Sequence, residues 1–412
     1  MAIAIISGKR TAFTKIGSSL KKIDAIKLGV KTVDALENEF HLGKSEEGLL
    51  VFGTVIQHAS VSNIAREVAL ESKLHPQTRS FSVVKACATS LSALAEACSH
   101  IEKGNVKWAI AGGSESMSNF PVSFHKKVAA ALRDFQYSKS MGEKIKALAS
   151  ISPNALLPQV PAVAERLTGL SMGEHCELMA KEWKIPREEQ DLWAVQSHNN
   201  AFNHKADHEK FIIFEKDNLV RGDTSLERAA KLKPVFDPKN GTLTAANSSP
   251  LTDGAGAILI ADEAYARKMG WPILALIDEF EMSAVDIRTE GLLMAPPYAI
   301  LRMLHRKQKK LSDFDIFEIH EAFAAQVLCN LKALQDNSWC EKRVGLKPTT
   351  IPSRDRINPW GGSVALGHPF AATGARVIMQ LAAQLHQEKL QSGLVSICAA
   401  GGIGMIASLK RV

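Results

Sequence analysis

The chain has 412 residues, enough for two or three packed units, and its 46% hydrophobic and 23% charged content is typical of a globular enzyme. This composition excludes disordered and fibrous proteins. Fifty basic and 43 acidic side chains give a net charge of +7, which suits nucleic acid, an acidic membrane surface or a phosphate-rich ligand without choosing among them.

The cysteines and the N-terminus indicate the compartment. The six cysteines form no CxxC pair and no short repeated spacing, so we predict neither a zinc site nor a disulfide framework and expect a reducing compartment. Residues 1–7 are too short for a signal peptide and lack its basic flank, so they predict a first β-strand. No apolar run approaches the ~20 residues that span a bilayer. We therefore expect a cytoplasmic protein in which any membrane association is peripheral.

Short apolar runs rich in Val and Ile alternate with longer segments of helical period. This alternation is typical of an α/β fold with a parallel sheet and crossover helices. The predicted strands include 49–55, 81–84, 107–111, 255–261, 314–319 and 394–398. The predicted helices include 62–72, 88–101, 188–203 and 371–385.

Two parts of the chain resemble each other. The helix after Cys87 leads to AIAGGSESM at 109–117, and the helix after His368 leads to ICAAGGIGM at 397–405. Two related βαβ halves produce such an echo, but glycine pairs after strands also recur in unrelated α/β proteins. The echo alone therefore leaves both interpretations open.

Residues 119–166 differ from their surroundings, being basic and helix-forming before a proline-rich end. We predict an inserted loop domain there, within an N-terminal half of residues 1–118 and 167–262 that precedes a C-terminal half of residues 263–412. Positions 121–150 carry six basic and two acidic residues, a net charge of +4. Such a face either is simply solvated or binds an anionic surface.

Cys87 follows the predicted strand 81–84 and precedes a helix of small residues. A thiol at that place meets the positive end of the helix dipole and unpaired backbone N–H groups, which stabilise the thiolate. The position therefore favours a nucleophile, although a buried structural cysteine is the alternative.

Two histidines and a second cysteine occupy comparable turns. His368 lies near the end of the glycine-rich segment 358–369 (NPWGGSVALGHP). A histidine presented by such a turn can act as a base that takes a proton from a thiol, and a capping or core histidine is the alternative. His320 follows the predicted strand 314–319, where a structural histidine is the usual finding. Cys398 precedes a glycine-rich turn whose N–H groups could bind an oxyanion.

These four segments, in this order, resemble the signature set of the thiolase family over essentially the whole chain. Weaker matches are 10–13 (RTAF), 111–118 (AGGSESMS), 187–191 through 197–198, and 232–237 (LKPVFD) through 245–249 (AANSS). The resemblance implies a five-layered α-β-α-β-α fold of two related halves with an inserted loop domain, assembled as a homodimer. It implies coenzyme A as a substrate, no permanently bound cofactor, no metal and no nucleic-acid partner.

The resemblance also implies residue roles. Cys87 resembles the acyl-accepting nucleophile, His368 its general base and Cys398 the second acid/base, while His320 and His368 stabilise an oxyanion. The backbone N–H groups of Cys87 and Ala400 resemble oxyanion donors. The implied coenzyme A-binding positions are Arg221, Ala245, Ser249 and Phe323.

Two departures from the common pattern point to one branch of the family. Residues 320–323 read HEAF where most thiolases have Asn-Glu-Ala-Phe, and residues 398–402 read CAAGG instead of Cys-x-Gly-Gly-Gly. Both are similar to the degradative 3-ketoacyl-CoA thiolases that include the β subunit of the mitochondrial trifunctional protein and its bacterial counterpart. This likeness implies cleavage of 3-ketoacyl-CoA by coenzyme A in fatty-acid β-oxidation.

Three alternatives remain at this level. A biosynthetic acetoacetyl-CoA thiolase would lack His320, the Ala-Ala variant and the insertion, and a ketoacyl synthase would lack Cys398. A non-catalytic acyl-CoA-binding scaffold would have lost the nucleophile or the base.

In the resembling branch, the inserted region seats the thiolase against an enoyl-CoA hydratase/3-hydroxyacyl-CoA dehydrogenase subunit and touches membrane. The net charge of +4 and the interleaved apolar residues Val128, Leu132, Ile145 and Leu148 favour the same here. We therefore expect the loop domain to bind anionic lipid or such a subunit.

Overall fold

A computed structural model of the chain describes residues 2–44, 47–58, 60–122, 124–157 and 164–412. Its strands are β1 (Ile3–Arg10), β2 (Thr14–Lys15), β3 (Gly48–Gly53), β4 (Arg79–Ser82), β5 (Trp108–Glu115), β6 (Thr252–Asp262), β7 (Ala275–Ala284), β8 (Ile316–Ile319), β9 (Ser392–Ala399) and β10 (Ile403–Lys410). The predicted strands are all present, with bounds shifted by a few residues.

The described helices begin with α1 (Ala25–Phe40), α2 (Ile64–Glu71), α3 (Thr89–Glu102), α4 (Lys126–Tyr137), α5 (Met141–Ala149), α6 (Met172–Glu182), α7 (Arg187–Asn203), α8 (Lys205–Glu209) and α9 (Leu226–Ala230). They continue with α10 (Glu263–Lys268), α11 (Ala295–Lys307), α12 (Ala324–Gln335), α13 (Asn337–Trp339), α14 (Ser363–Leu366) and α15 (Thr373–Gln387). Short 3-10 turns and a π-turn at Cys340–Val344 complete them.

The strands form a mixed sheet in the order β4-β3-β5-β6-β1-β7-β10-β9-β8, with β2 on β6. The prediction of a parallel sheet is therefore wrong in part, because among the described strands only β3–β4, β3–β5 and β8–β9 pair in parallel. Strands covered on both faces are apolar throughout, so their sequence does not reveal their direction. The antiparallel pair β9–β10 needs only the tight turn 400–402, where Gly401 and Gly402 have positive φ.

Two helices, α3 and α15, form a central layer between the strands at one end of this sheet and the strands at the other end. Helix α3 packs on β3, β5 and β6, and α15 packs on α3 and on strands of both ends, including β6 and β8. Outer helices cover the opposite faces, α1 and α2 on one end and α11 on the other. The layers therefore run α-β-α-β-α, as predicted. Almost every residue of α15 is buried, as expected for a helix enclosed on all sides.

The chain divides into two compact units. The smaller comprises Ile56–Ser62 and Phe120–Val163, and the larger contains the rest, which takes in both predicted halves except residues 56–62. The segment Ile56–Ser62 was not part of the predicted insertion. Within the smaller unit α4 packs against α5, and residues 158–163 of the predicted insertion lie outside the described residues. No described helix is both long and apolar enough to cross a membrane.

Candidate active site

Cys87 lies in a tight turn between β4 and α3. Ala86, directly before it, has a positive φ of 45°, an unfavourable conformation for a residue with a side chain. The Thr89 hydroxyl fixes this turn, because Oγ1 donates to the Ala86 carbonyl at 2.7 Å and accepts from the Lys85 amide at 2.9 Å. The turn leaves Cys87 partly accessible, as a nucleophile requires.

His368 lies beside this sulfur. Its Nε2 is 3.0 Å from Cys87 Sγ, while its Nδ1 is 2.6 Å from Thr373 Oγ1. The His368 amide donates to Thr252 Oγ1 at 3.0 Å, which ties the loop to β6. Gly367 has a φ of 93°, and a Cβ there would come within 2.5 Å of Leu219. The glycine therefore allows the close approach that positions the imidazole.

His320 leaves the end of β8 next to His368. The two ring centroids are 4.1 Å apart, and one ligating atom each of Cys87, His320 and His368 lie within 4.8 Å of one another. His320 Nδ1 is 2.8 Å from Ser363 Oγ, whereas its buried Nε2 has no hydrogen-bond partner among the described residues. That nitrogen is therefore available to a ligand.

A buried carboxylate joins the elements that hold the two histidines. Glu321 follows His320 and accepts from Asn358 Nδ2 at 2.7 Å and from the Val364 amide at 3.1 Å. A Cβ at Gly362 would come within 2.3 Å of the Glu321 carboxyl group. The glycine-rich loop 358–368 is thereby folded directly onto the end of β8.

The electrostatic state of Cys87 differs from the sequence-based expectation of a stabilised thiolate. Desolvation by the surrounding protein raises the pKa of its thiol to about 12, against hydrogen bonds from the Ala400 amide and its own amide that lower it. Helix α3 begins only at Thr89, two residues later. The expectation is wrong because burial outweighs the N–H donors, and the resting sulfur is a neutral thiol.

Both imidazoles are neutral as well. Burial, followed by the nearby positive charge of Arg376, lowers the pKa of His368 to about 3. The pKa of His320 is also well below its usual value, because of burial, His368 and Arg376. A neutral His368 can accept a proton at physiological pH, as a general base must.

Cys398 occupies the end of β9 and is fully enclosed. Burial, and then the charge of a Cys87 thiolate, raise the pKa of Cys398 well above its usual value, so the two sulfurs interact electrostatically. The Ala400 amide that follows it faces the Cys87 sulfur. The structure thus brings all four predicted catalytic residues and both predicted amide donors to one place.

The predicted coenzyme A-binding residues divide into two groups. Ser249 and Phe323 form the first group and lie close to the catalytic candidates. The Ser249 amide donates to the Ala322 carbonyl at 3.0 Å, and Leu251, two residues after Ser249, forms a β-bridge with His368. Arg221 and Ala245 are exposed, and no hydrogen bond or ion pair among the described residues joins them to the catalytic candidates. Their role in binding coenzyme A stays a prediction.

Sequence reasoning missed the polar residues behind the histidines. These are Glu321, Ser363, Thr373 and Arg376, all of them buried. Arg376 had a recognisable signal, because it is the one ionised side chain within the apolar stretch 373–385.

A thiol hydrogen-bonded to a neutral imidazole, with amide donors at its sulfur and a second thiol nearby, defines an enzyme that carries an acyl group on cysteine. The chain belongs to the thiolase family: the thiolase N-terminal domain matches residues 3–264 and the thiolase C-terminal domain matches residues 271–411.

Similar proteins agree with this assignment. Curated proteins named 3-ketoacyl-CoA thiolase from Pseudoalteromonas translucida and Colwellia psychrerythraea are each 40% identical to this chain, over 98% of it and 95% of their own length. The crystal structure of the Bacillus anthracis acetyl-CoA acetyltransferase is 26% identical with a TM-score of 0.82, covering 100% of this chain and 99% of that one.

Proposed function

We propose that this protein is a degradative 3-ketoacyl-CoA thiolase, which uses coenzyme A to cut 3-ketoacyl-CoA into acetyl-CoA and a shortened acyl-CoA. The observation that carries the proposal is the 3.0 Å contact between Cys87 Sγ and His368 Nε2, with His320 beside it. Coenzyme A serves as a substrate, and the reaction needs no permanently bound cofactor.

The first step forms the acyl-enzyme. The Cys87 thiol passes its proton to His368 Nε2 as the sulfur attacks the 3-keto carbon of the substrate. After attack, the former 3-keto carbon is bonded to Cys87 Sγ, so the oxyanion on that carbon lies next to this sulfur. The amides of Cys87 and Ala400 already point at the sulfur and are therefore best placed to stabilise the oxyanion. Because the proton leaves Cys87 as the sulfur attacks, a free thiolate is not needed beforehand, and the raised pKa of the resting thiol does not prevent the reaction.

The second step releases acetyl-CoA. Breaking the C2–C3 bond leaves an enolate whose thioester oxygen is stabilised by His320 Nε2 and by the protonated His368. Cys398 then gives its proton to C2. In the third step coenzyme A attacks the acyl group, its thiol proton goes to the Cys398 thiolate, and the departing Cys87 sulfur recovers the proton of His368. All groups return to their starting states. Because acetyl-CoA leaves before free coenzyme A attacks the acyl-enzyme, ping-pong kinetics are expected.

The test is thiolysis of 3-ketoacyl-CoA substrates of increasing chain length by wild type, Cys87→Ala and Cys398→Ala. We expect cleavage of several chain lengths by wild type and loss of turnover in both variants. Activity confined to acetoacetyl-CoA would favour the biosynthetic alternative. Unchanged turnover without the Cys87 thiol would exclude the mechanism and favour a binding role.

We further propose that the protein belongs to the branch of the trifunctional-protein β subunit and is a cytoplasmic homodimer. Within each chain, we propose that the N-terminal half ends at residue 262 and the C-terminal half begins at residue 263. Edge strand β4 supports the dimer, because no described strand pairs with its outer side and Val84 beyond its end is 47% exposed. The six free cysteines agree with a reducing cytoplasm. Sedimentation velocity of the purified protein tests the dimer.

The smaller unit supports peripheral attachment to anionic lipid or to a hydratase/dehydrogenase subunit. Leu132, Ile145 and Leu148 are exposed on α4 and α5, amid the basic residues of that segment. Val128, the fourth apolar residue expected to favour this binding, is buried instead. Deletion of residues 119–164 should abolish liposome sedimentation or subunit co-purification, and unchanged results in both assays would remove the proposal.

A further inference from the structure

Arg376 lies on α15 behind His320 and is connected to it through one hydroxyl group. Arg376 Nη2 donates to Ser363 Oγ at 2.7 Å, and Ser363 Oγ lies 2.8 Å from His320 Nδ1. All three residues are at least 98% buried. Water therefore does not replace these contacts, and the protons in the chain must be distributed among the three side chains themselves.

The distribution follows from what each group can donate. A guanidinium only donates, so one lone pair of Ser363 Oγ is occupied by Arg376. If His320 Nδ1 carried a proton, Ser363 would accept twice and its own buried hydroxyl proton would have no partner, which costs free energy. If Nδ1 is bare, the hydroxyl donates to it, and the ring N–H at Nε2 is the one group of the three side chains' shared contacts left without a partner among the described residues, whereas the first arrangement leaves both the hydroxyl proton and Nε2 without one. The second arrangement places the ring proton on Nε2.

We propose that Arg376, acting through Ser363, is a positioning residue that holds His320 as the Nε2–H tautomer. Nε2 is the nitrogen that lacks a partner among the described residues and lies beside His368. The relay thus presents a preformed N–H donor to the substrate. That this donor binds the thioester oxygen rests on the proposed thiolase function.

The surroundings keep the guanidinium fixed and charged. Arg376 Nη1 donates to Gln380 Oε1 at 3.2 Å, and Gln380 Nε2 donates to Glu318 Oε1 at 3.0 Å. Burial lowers the pKa of Arg376 to about 10, against the opposing influence of Glu318 and Glu321, so the side chain stays protonated at neutral pH. The direction of the Arg376–Ser363 hydrogen bond is therefore constant over the range in which the enzyme works.

Nitrogen NMR of the histidine rings tests the tautomer independently of activity. Protein labelled with ¹⁵N-histidine is compared as wild type, Ser363→Ala and Met379→Leu, with the His320 signals assigned from their absence in His320→Asn. We expect protonated Nε2 and bare Nδ1 in wild type, a mixture of tautomers in Ser363→Ala and no change in Met379→Leu, a buried control on the same helix. A wild-type ring protonated at Nδ1, or a Ser363→Ala spectrum identical to wild type, would overturn the proposal.

A double-mutant cycle tests how the relay acts. Ser363→Ala should lower kcat about tenfold with little change in KM. This loss is smaller than the loss expected on removing an oxyanion donor, because His320 remains and only part of it has the wrong tautomer. In the His320→Asn background the same substitution should change kcat by less than about twofold, because Asn presents its N–H without help. Effects that multiply in the double variant would mean that Ser363 acts only through general packing, and the proposal would be wrong.

A third comparison separates Arg376 from a purely structural role. Arg376→Lys keeps the charge and one donor, so it should retain more of the Nε2–H tautomer and of kcat than Arg376→Met. Equal losses in the two variants would contradict the relay. If wild type cleaves no 3-ketoacyl-CoA, the proposed function fails, while the ring nitrogen signals still decide the tautomer.

Discussion

Cys87 Sγ and His368 Nε2 lie 3.0 Å apart although 281 positions separate the two residues in sequence. Burial raises the pKa of the Cys87 thiol to about 12 and lowers the pKa of His368 to about 3. Since the ionised form of each is disfavoured, the resting pair is neutral thiol and neutral imidazole. Proton transfer must therefore accompany attack on the substrate.

Alkylation of the free enzyme tests this resting state. Because only the thiolate reacts, the rate of Cys87 modification by iodoacetamide should rise about tenfold per pH unit from about pH 6 to about pH 10, without a plateau. The rate is followed by mass spectrometry of the peptide that contains Cys87. A pH-independent rate near neutrality would instead reveal a thiolate–imidazolium pair and contradict the neutral one.

The four catalytic candidates could be proposed from sequence because each follows a strand or lies in a glycine-rich turn, and because the four segments in this order resemble the thiolase family. Their electrostatics could not be predicted the same way. The dipole argument for Cys87 used only local sequence, whereas its pKa is dominated by desolvation from the whole fold. Ser363 and Arg376 were missed because a lone polar residue in an apolar segment shows no partner until the chain folds.

The sheet gives a similar lesson. Strand positions were predicted because apolar runs are local, but strand direction depends on which segments become neighbours. β1 pairs with β6 and β7, both of them antiparallel and both more than 240 positions away. The burial of Val128 was missed for a related reason, since the helical pattern of α4 alone does not show which side packs inward.

Replacing Cys398 should separate acyl transfer from proton transfer. Cys398→Ala should lower thiolysis on the order of 10³-fold and abolish exchange of the acetyl-CoA methyl protons with D₂O, because no acid or base remains for C2. Acylation of Cys87 should persist, as seen by intact-protein mass spectrometry. Cys340→Ala, which removes a buried thiol from another core cluster, is the control and should keep proton exchange. Normal exchange in Cys398→Ala would assign the proton to another group.

The buried Arg10–Asp217 ion pair should contribute to stability. The carboxylate accepts two hydrogen bonds from Arg10 and one from the Phe13 amide at 2.6–2.7 Å. Asp217→Asn leaves the 1% exposed Arg10 without its counter-charge, so the free energy of unfolding should fall by about 3–5 kcal/mol at neutral pH, as measured by urea denaturation. Asp223→Asn, at an exposed ion pair, should cause no measurable change.

The same pair predicts a pH dependence. Burial raises the pKa of Asp217, but the charge of Arg10 and the hydrogen bonds from Arg10 and the Phe13 amide together lower it by more. The pKa of Asp217 is therefore below its usual value of 3.8. A lowered folded-state pKa gives stability that is complete above the unfolded value and is lost as the pH falls through the folded one. The stability difference between wild type and Asp217→Asn should therefore be constant above about pH 5 and shrink below about pH 4. A difference that grows on acidification would contradict the assignment.

Glu321 should be needed as a carboxylate rather than as an amide. Its two oxygens accept four hydrogen bonds at 2.7–3.1 Å, from Trp193 Nε1, Ser197 Oγ, Asn358 Nδ2 and the Val364 amide. In Glu321→Gln one oxygen becomes an NH₂ group, so at least one of the four donors faces another donor whichever way the amide is oriented. We expect a loss of roughly 3 kcal/mol in the free energy of unfolding.

The loss should extend to catalysis, because Glu321 joins the end of β8, which carries His320, to the loop that carries His368. Misplacing either imidazole weakens stabilisation of the transition state more than binding of the acyl-CoA, so kcat should fall while KM changes little. Glu341→Gln, on the exposed surface, should leave both constants and the stability unchanged. If Glu321→Gln lost stability but kept wild-type kcat, the carboxylate would support the fold without positioning the histidines.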